Sequence, residues 1–423
     1  MRSWIEHYGM GLVLLALAAG FSVATIQEQA ISGVEAAISL AAEVPEGTPA
    51  VLIAVAAGQD DAVFASELEI QLKQRGIATA RAAGSSPRDA RMELEKHPEV
   101  QVAACSSSAA KWLIWQNFPK IRVMAPKQGR WPSFLLRSNL LNIANQIAVI
   151  AIVAIGMTMV IISGAIDLSV GSLIALAAVI ATRLIRDYFG GVEASALGMI
   201  SSGTGAVAAC AVVGLLNGLA VTKFQLPAFI VTLATMLMAS GGAYLLAAHQ
   251  SIYQVPESFV WLGRASLGSL PVAVILMLLL YGFAHLFMRH TALGRQMYAV
   301  GGNAHAAHLS GVSVARVQTF AFIICGALAG LGGVILASQL KGGSPTYGQM
   351  YELNVIAAVV VGGASLTGGS GRMFGTLIGA FIIAVIQNGM NLLNIESATQ
   401  KIVLGGIILL AVLLDRLKLW KRA

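Results

Sequence analysis

Roughly ten stretches of this chain run for about 20 residues with scarcely a charged side chain, the length an α-helix needs to cross the hydrocarbon core of a bilayer. Nothing else in the sequence restricts the fold as tightly. In hydrocarbon every backbone N–H and C=O must be satisfied within the chain, so only helices and closed barrels can span. The runs are too long, and alternate too little, for the strands of an outer-membrane barrel. The expected fold class is an all-α polytopic membrane protein with about ten transmembrane helices. Composition agrees: 57% of the 423 residues are hydrophobic and 11% are charged, so lipid is the solvent for most of the chain.

The expected spans lie at 9–26, 140–163, 169–186, 195–222, 227–248, 271–289, 317–340, 353–367, 373–394 and 399–415. The first, Gly9 to Ile26, follows a short charged stretch as a secretory signal would. It is nearer a full span than a signal core, and keeping it puts the later loop charges on consistent sides. Residues 1–28 are therefore read as the first transmembrane helix, 29–132 as an inserted domain and 133–423 as a core of about nine further helices. The net charge of +7 is explained by topology rather than by a nucleic-acid surface. Lys223, then Arg289, His290, Arg295 and Arg316, then Arg372, then Arg416, Lys418, Lys421 and Arg422 fall on one side of the expected membrane. That side is the cytoplasm by the positive-inside tendency, and both termini lie on it. Cys105, Cys210 and Cys325 show neither metal spacing nor an obvious pair, so no disulfide framework is expected.

From Ala42 to Arg130 the composition changes, with close to half of all charged residues of the chain. A buried-strand pattern (Ala50 to Gly58) leads into an amphipathic helix near Asp61 to Arg75, stopped by Gly76. IATARAA follows, then SSPRDARMELEKHP with Ser85 or Ser86 as cap and Pro87 in the first turn, then EVQVAAC. SSSAAKWLIWQNF and KIRVMA suit one more repeat. This reads as a small parallel α/β domain, placed outside the cytoplasm by the span count, since long loops translocate with little regard to charge.

Several motifs interrupt the apolar pattern. GAIDLSVGS brings a carboxylate, Asp167, to membrane depth, an expensive placement that suits a cavity or a helix cap. Capping of the helix beginning near Ser169 is the favoured reading. Asn217 and Gly218 end one span and Pro227 opens the next, as either a tight hairpin or a gate. Gly363 and Gly368 lie in a glycine-rich stretch without the lysine of a phosphate loop, so close helix packing is the default. Asn388 with Gly389 closes another run much as Asn217 with Gly218 does, which hints at a duplicated half. After Gly301, Gly302 and Asn303 comes AHAAHLSG, a short helix-forming stretch in the longest basic loop; it suits a docking element or a plain connector. No segment matches a Walker-type phosphate loop, and no catalytic or metal constellation stands out, so any ATP would be bound by another chain.

GMTMVIISGAIDLSVGSLIALAAVIA, GLLNGLAVTKFQLPAFIVTLATM, LGRQMYAVGGNAHAAHLSGVSVARVQ and NVIAAVVVGGASLTGGSGRMFGTLIGA, in that order, resemble the ribose and related monosaccharide permeases of ABC importers. The resemblance runs from about Asn139 to Leu414 and leaves the insert outside. It implies a membrane-spanning, non-enzymatic subunit of the bacterial inner membrane, forming the path for a monosaccharide or related solute. It implies a permease homodimer or heterodimer, a periplasmic solute-binding protein, and cytoplasmic ATPase subunits that hold ATP and Mg while this chain binds no cofactor. Their coupling contact would be Asn303, His305, His308, Ser310 and Gly311. The chain departs from the family pattern at Ala304-His305, commonly Pro-Glu, at His308, commonly Arg, and in the insert itself. A secondary transporter or channel working without an ATPase, and a membrane sensor, are the alternatives from other classes. The first would normally carry more intramembrane ionisable groups than Asp167, and ten spans with Gly and Asn breaks exceed what an anchor needs.

Overall fold

The computed structural model describes residues 2–30, 33–82 and 84–420; Lys421 and Arg422 lie outside this range, as do the side chains of Arg416 and Lys418. The chain divides into two compact units, Met1–Thr25 with Phe134–Ala423 and, separately, Ile26–Ser133.

Helix α1 (Arg2–Ala24) ends before the apolar run does. Thr25 turns the chain: its hydroxyl donates to the Phe21 carbonyl at 2.7 Å and accepts the Phe134 N–H at 3.2 Å, and Ile26 already belongs to a strand.

The unit Ile26–Ser133 contains β1 (Ile26–Ala30), α2 (Gly33–Glu43), β2 (Ala50–Ala54), α3 (Gln59–Gln74), β3 (Ala78–Arg81), α4 (Pro87–Lys96), β4 (Val102–Cys105), β5 (Arg122–Met124) and β6 (Gln128–Pro132). Four strands form a parallel sheet in the order β3-β2-β4-β5, while β1 and β6 make a separate antiparallel ribbon. Alternate residues of β2 serve opposite faces. Val51 and Ile53 pack with Leu40, Phe64, Leu68 and Leu72 of α2 and α3, whereas Leu52 packs with Ala90, Leu94 and Trp115. Ser86 caps α4 through a reciprocal box with Asp89, and Pro87 fills the first turn. The last crossover holds two 3₁₀ turns, Ala109–Lys111 and Leu113–Asn117, in place of another α-helix. Trp115 explains this locally, because its indole N–H donates to the Ala109 carbonyl at 2.8 Å and its ring fills the sheet face. Burial pushes the Cys105 thiol, at the end of β4, up to about 12.

The other unit continues with α5 (Arg137–Ile162), α6 (Val170–Tyr188), α7 (Ala196–Lys223), α8 (Ala228–Leu246), a short α9 (Trp261–Arg264), and a small hairpin of β7 (Ser266–Leu267) and β8 (Leu270–Pro271). Then come α10 (Val272–His290), α11 (Ala292–Gly302), α12 (Ala304–Leu309), α13 (Val314–Leu340), α14 (Tyr351–Val361), α15 (Met373–Leu392) and α16 (Ser397–Trp420). Among the described residues six helices, α5, α7, α8, α10, α13 and α15, are long and apolar enough to cross a membrane. Shorter apolar helical stretches are Gly9–Ala24, Tyr351–Val361 and Ser397–Leu413. The protein is a helical, polytopic membrane protein.

α13 lies at the centre and packs against α5, α6 and α7. Lipid supplies no hydrophobic force between helices, so close backbone approach has to hold them together. The glycines serve that end. A Cβ at Gly326 of α13 would overlap the Cys210 carbonyl of α7, one at Gly214 of α7 would overlap the Phe322 carbonyl, and one at Gly333 would overlap the Ile174 carbonyl of α6. On α5, a Cβ at Gly156 would fall 2.6 Å from the Cys325 Cα. α5 is apolar on every side because it is buried on nearly every side.

α14 differs from the span expected at 353–367. Its 11 residues reach only about 16 Å at 1.5 Å each. Gly363, at φ +89°, turns the chain after Val361, and Gly362 lies against the Gly375 backbone of α15. The remainder of that apolar run is the loop 362–372.

Candidate functional site

The connection between α5 and α6 carries the carboxylate that the apolar pattern singled out. Gly164, at φ +86°, reverses the chain after α5, and Asp167 is wholly buried. Its Oδ1 accepts the Ser169 N–H at 2.9 Å and the Ser169 hydroxyl at 2.6 Å. This is an Asx turn ahead of α6, so the donor lies one residue before the helix instead of in its first turn. Oδ2 is buried against the Cys325 thiol and has no other hydrogen-bond partner among the described residues.

The polar chain continues outward from Ser169. Asn217 Nδ2 donates to Ser169 Oγ at 3.3 Å, and the Thr235 hydroxyl donates to Asn217 Oδ1 at 2.6 Å. Four buried polar side chains thus tie the α5–α6 connection to α7 and α8. Asn217 and Gly218 do not end a span, since α7 runs on to Lys223. The Asn217 amide is satisfied sideways and so does not compete for its own backbone, while Gly218 lets the Thr319 backbone of α13 approach. The same correction holds for Asn388, which sits inside α15. Its side chain exchanges two hydrogen bonds with Asn139 of α5, at 3.0 and 2.8 Å, and Gly389 makes room for the Phe21 ring of α1.

Pro227 is the cap residue of α8, as a helix-opening proline should be. The turn before it holds Gln225 at φ +55°. A crevice of ≈ 690 Å³ separates this turn from the segment that follows α12, lined by Gln225, Pro227, His308, Gly311, Ser313 and Gln318 among others. The structure therefore brings the hairpin and the candidate docking segment together. Asn303 caps α12, accepting the Ala306 N–H at 2.9 Å. His305 and His308 are exposed, Ser310 Oγ donates to the Ala306 carbonyl at 3.0 Å, and Gly311 at φ +84° ends the segment. The residues before Asn303, which hydropathy left as loop, form α11, with Thr291 as its cap.

Gly363 lies at the start of the loop between α14 and α15 and Gly368 near its middle, against Gly164 and Gly301; neither joins the Asp167 chain of hydrogen bonds. Both have positive φ. Sequence reasoning did not single out Thr235, which lies 18 positions from the asparagine it completes. It also passed over Glu352 in the first turn of α14, whose carboxylate lies where a Cβ on Gly171 of α6 would go. An acidic residue opening an apolar helix was the available signal. Thr158 and Thr376, fully buried, share a hydrogen bond of 2.8 Å between α5 and α15. Among the described residues no three His, Cys, Asp or Glu side chains cluster to hold a metal ion.

Residues 139–412 match a family described as branched-chain amino acid transport system / permease component. The chain is 41% identical over 291 residues to the ribose import permease protein of Escherichia coli K12, covering 68% of this chain and 88% of that one. It is 42% identical over 289 residues to the Bacillus subtilis ribose import permease protein, covering 68% and 87%. To the L-arabinose ABC transporter permease protein of Azospirillum brasilense it is 36% identical over 288 residues, covering 67% and 82%. No solved structure matches the chain. The match begins in α5, ends in the apolar part of α16 and takes in the Asp167 connection, the Pro227 hairpin and α12 alike, and the chain belongs to this permease-component family.

Proposed function

We propose that the chain is the membrane-spanning permease subunit of an ABC importer and forms the path for a monosaccharide. The observation that carries this reading is the identity with sugar import permeases over almost their whole length. The family description names branched-chain amino acids, but the relatives are named for ribose, L-arabinose and D-allose, which favours a sugar. ATP and Mg belong to separate ATPase subunits, which grip the segment Asn303 to Gly311, and a periplasmic binding protein delivers solute at the opposite face. Two permease chains, alike or different, enclose the path in the bacterial inner membrane. Ten crossings, counting α1, α6, α14 with its loop, and α16, leave both termini in the cytoplasm and put the unit Ile26–Ser133 outside. There it modulates capture of the solute or of its binding protein. The buried chain Thr235, Asn217, Ser169 and Asp167 holds the hairpin ahead of α8 in register with the α5–α6 connection, while Pro227 opens α8 and Gly363 and Gly368 turn the chain between α14 and α15.

The test is uptake by proteoliposomes holding the full chain with its ATPase and solute-binding protein. Labelled D-ribose, L-arabinose, D-allose and L-leucine are compared with ATP inside and without it. ATP-dependent uptake of a sugar is expected; uptake of leucine alone, or sugar uptake that ignores ATP, overturns the reading.

A further inference from the structure

Three segments from distant parts of the chain meet at bare backbone just before α12. They are the end of α11 at Gly301, the end of α5 at Ile162 to Gly164, and the loop 362–372 at Gly368 and Gly369. The Gly369 N–H donates to the Ile162 carbonyl at 2.9 Å. A Cβ on Gly301 would overlap that carbonyl oxygen and fall 2.5 Å from Gly369 N. A Cβ on Gly368 would fall 2.9 Å from the Gly301 carbonyl oxygen and 3.0 Å from the Gly164 Cα. Gly164, Gly368 and Gly369 all have φ between +73° and +86°, and Gly368 and Gly369 are restricted by space as well as by conformation. Two side chains hold the meeting point from outside. Gln318 of α13 donates to the Ser163 carbonyl at 3.1 Å, and the Tyr298 hydroxyl of α11 donates to the Gly371 carbonyl at 3.0 Å.

Position along the chain makes this more than packing. Gly301 is two residues before Asn303, the cap of α12, and Ile162 is five before Asp167. With no side chain between the three backbones, a displacement of α12 moves the other two segments directly; nothing flexible is there to absorb it.

We propose that this glycine junction is the link through which movement of α12 on the ATPase is passed to the Asp167 connection and to the loop 362–372, with Gly301 as its central positioning residue. The proposal rests on the transport reading above.

The test uses the full chain in proteoliposomes with its ATPase and binding protein, reading D-ribose, L-arabinose or D-allose uptake and phosphate release together. Failure of the unaltered chain to take up any of the three sinks the transport reading and this proposal with it. Given uptake, Gly301→Ala is expected to hydrolyse ATP within about twofold of the unaltered rate and to move about tenfold less sugar per ATP. Gly302→Ala makes the same chemical change one residue on, where an added Cβ meets nothing within 4 Å, and is expected to leave the ratio unchanged. An unchanged ratio in Gly301→Ala, or an equal loss in Gly302→Ala, overturns the proposal while the transport reading stands. Should Gly301→Ala fail to assemble, the pair Tyr298→Phe with Gln318→Leu decides, because it removes both outer bonds and adds no bulk between the glycines. A loss of about threefold in sugar per ATP supports the link, and no loss overturns it.

Discussion

Replacing Asp167 separates a need for an acceptor from a need for a charge. In Asp167→Asn the Oδ1 acceptor stays, and the new amide nitrogen takes the place of Oδ2, which faces only the weak thiol donor of Cys325. An extra buried donor near Cys325 then costs about 1 kcal/mol. In Asp167→Ala both Ser169 bonds go. The Ser169 hydroxyl can turn toward Asn217, but its backbone N–H cannot move, and a buried unpaired N–H costs about 1–3 kcal/mol. With the small cavity added, Asp167→Ala is expected to lose about 3–4 kcal/mol against about 1 for Asp167→Asn. Thermal denaturation in detergent reads the order, using a thiol-reactive dye in a Cys105→Ala background. Cys210 and Cys325, free and buried in the same unit as Asp167, then report the melting of that unit. Equal midpoints for the two variants, or a lower one for Asp167→Asn, refute the acceptor argument and make the charge itself the requirement.

Three further outcomes are expected. Gly326→Ala, which drives a methyl group into the Cys210 carbonyl, lowers the denaturation midpoint by the equivalent of about 1–3 kcal/mol, whereas Gly241→Ala, with nothing within 4 Å of its new Cβ, leaves it unchanged. The purified chain alone, having no phosphate loop, retains no labelled ATP analogue on filters and releases no phosphate. Replacing residues 26–133 by a short Gly/Ser bridge leaves the other unit inserted, since Thr25 and Phe134 are hydrogen-bonded neighbours; sugar uptake falls at low solute concentration, and uptake unchanged at every concentration refutes the modulatory role.

Hydropathy was enough to find the long helices because the bilayer imposes a length that no soluble element shares, and α5, α7, α13 and α15 start within a few residues of where the apolar runs do. It could not tell α14 from a span, because the apolar residues continue past Gly363 and only the backbone angle there ends the helix. Within the α/β unit the period-2 and helical patterns are visible from β2 to β4, while α2 is an alanine-rich stretch that lies almost wholly before Ala42, where the composition changes. At the site, Asp167 is conspicuous by its cost, and Asn303 and Pro227 by their capping chemistry. Asn217 and Asn388 misled for one reason. An asparagine looks like a helix end until its side-chain partners are known, and Thr235 and Asn139 are remote in sequence.

The packing of α1 sets a condition on how the protein is made. Phe21 finds its place over Gly389 of α15, so the two halves of that contact leave the ribosome roughly 370 residues apart, on the order of 20–70 s at ordinary rates of synthesis. Until then α1 lacks the helix it packs against most extensively, first while residues 26–133 are translated and then while α5 to α14 enter. A strongly one-sided helix would tip toward the bilayer surface in that time. From Met10 to Ala24 the coat is apolar on every side but for Ser22, whose hydroxyl donates to the Ala18 carbonyl at 2.6 Å, so α1 can stay upright until its late partner arrives.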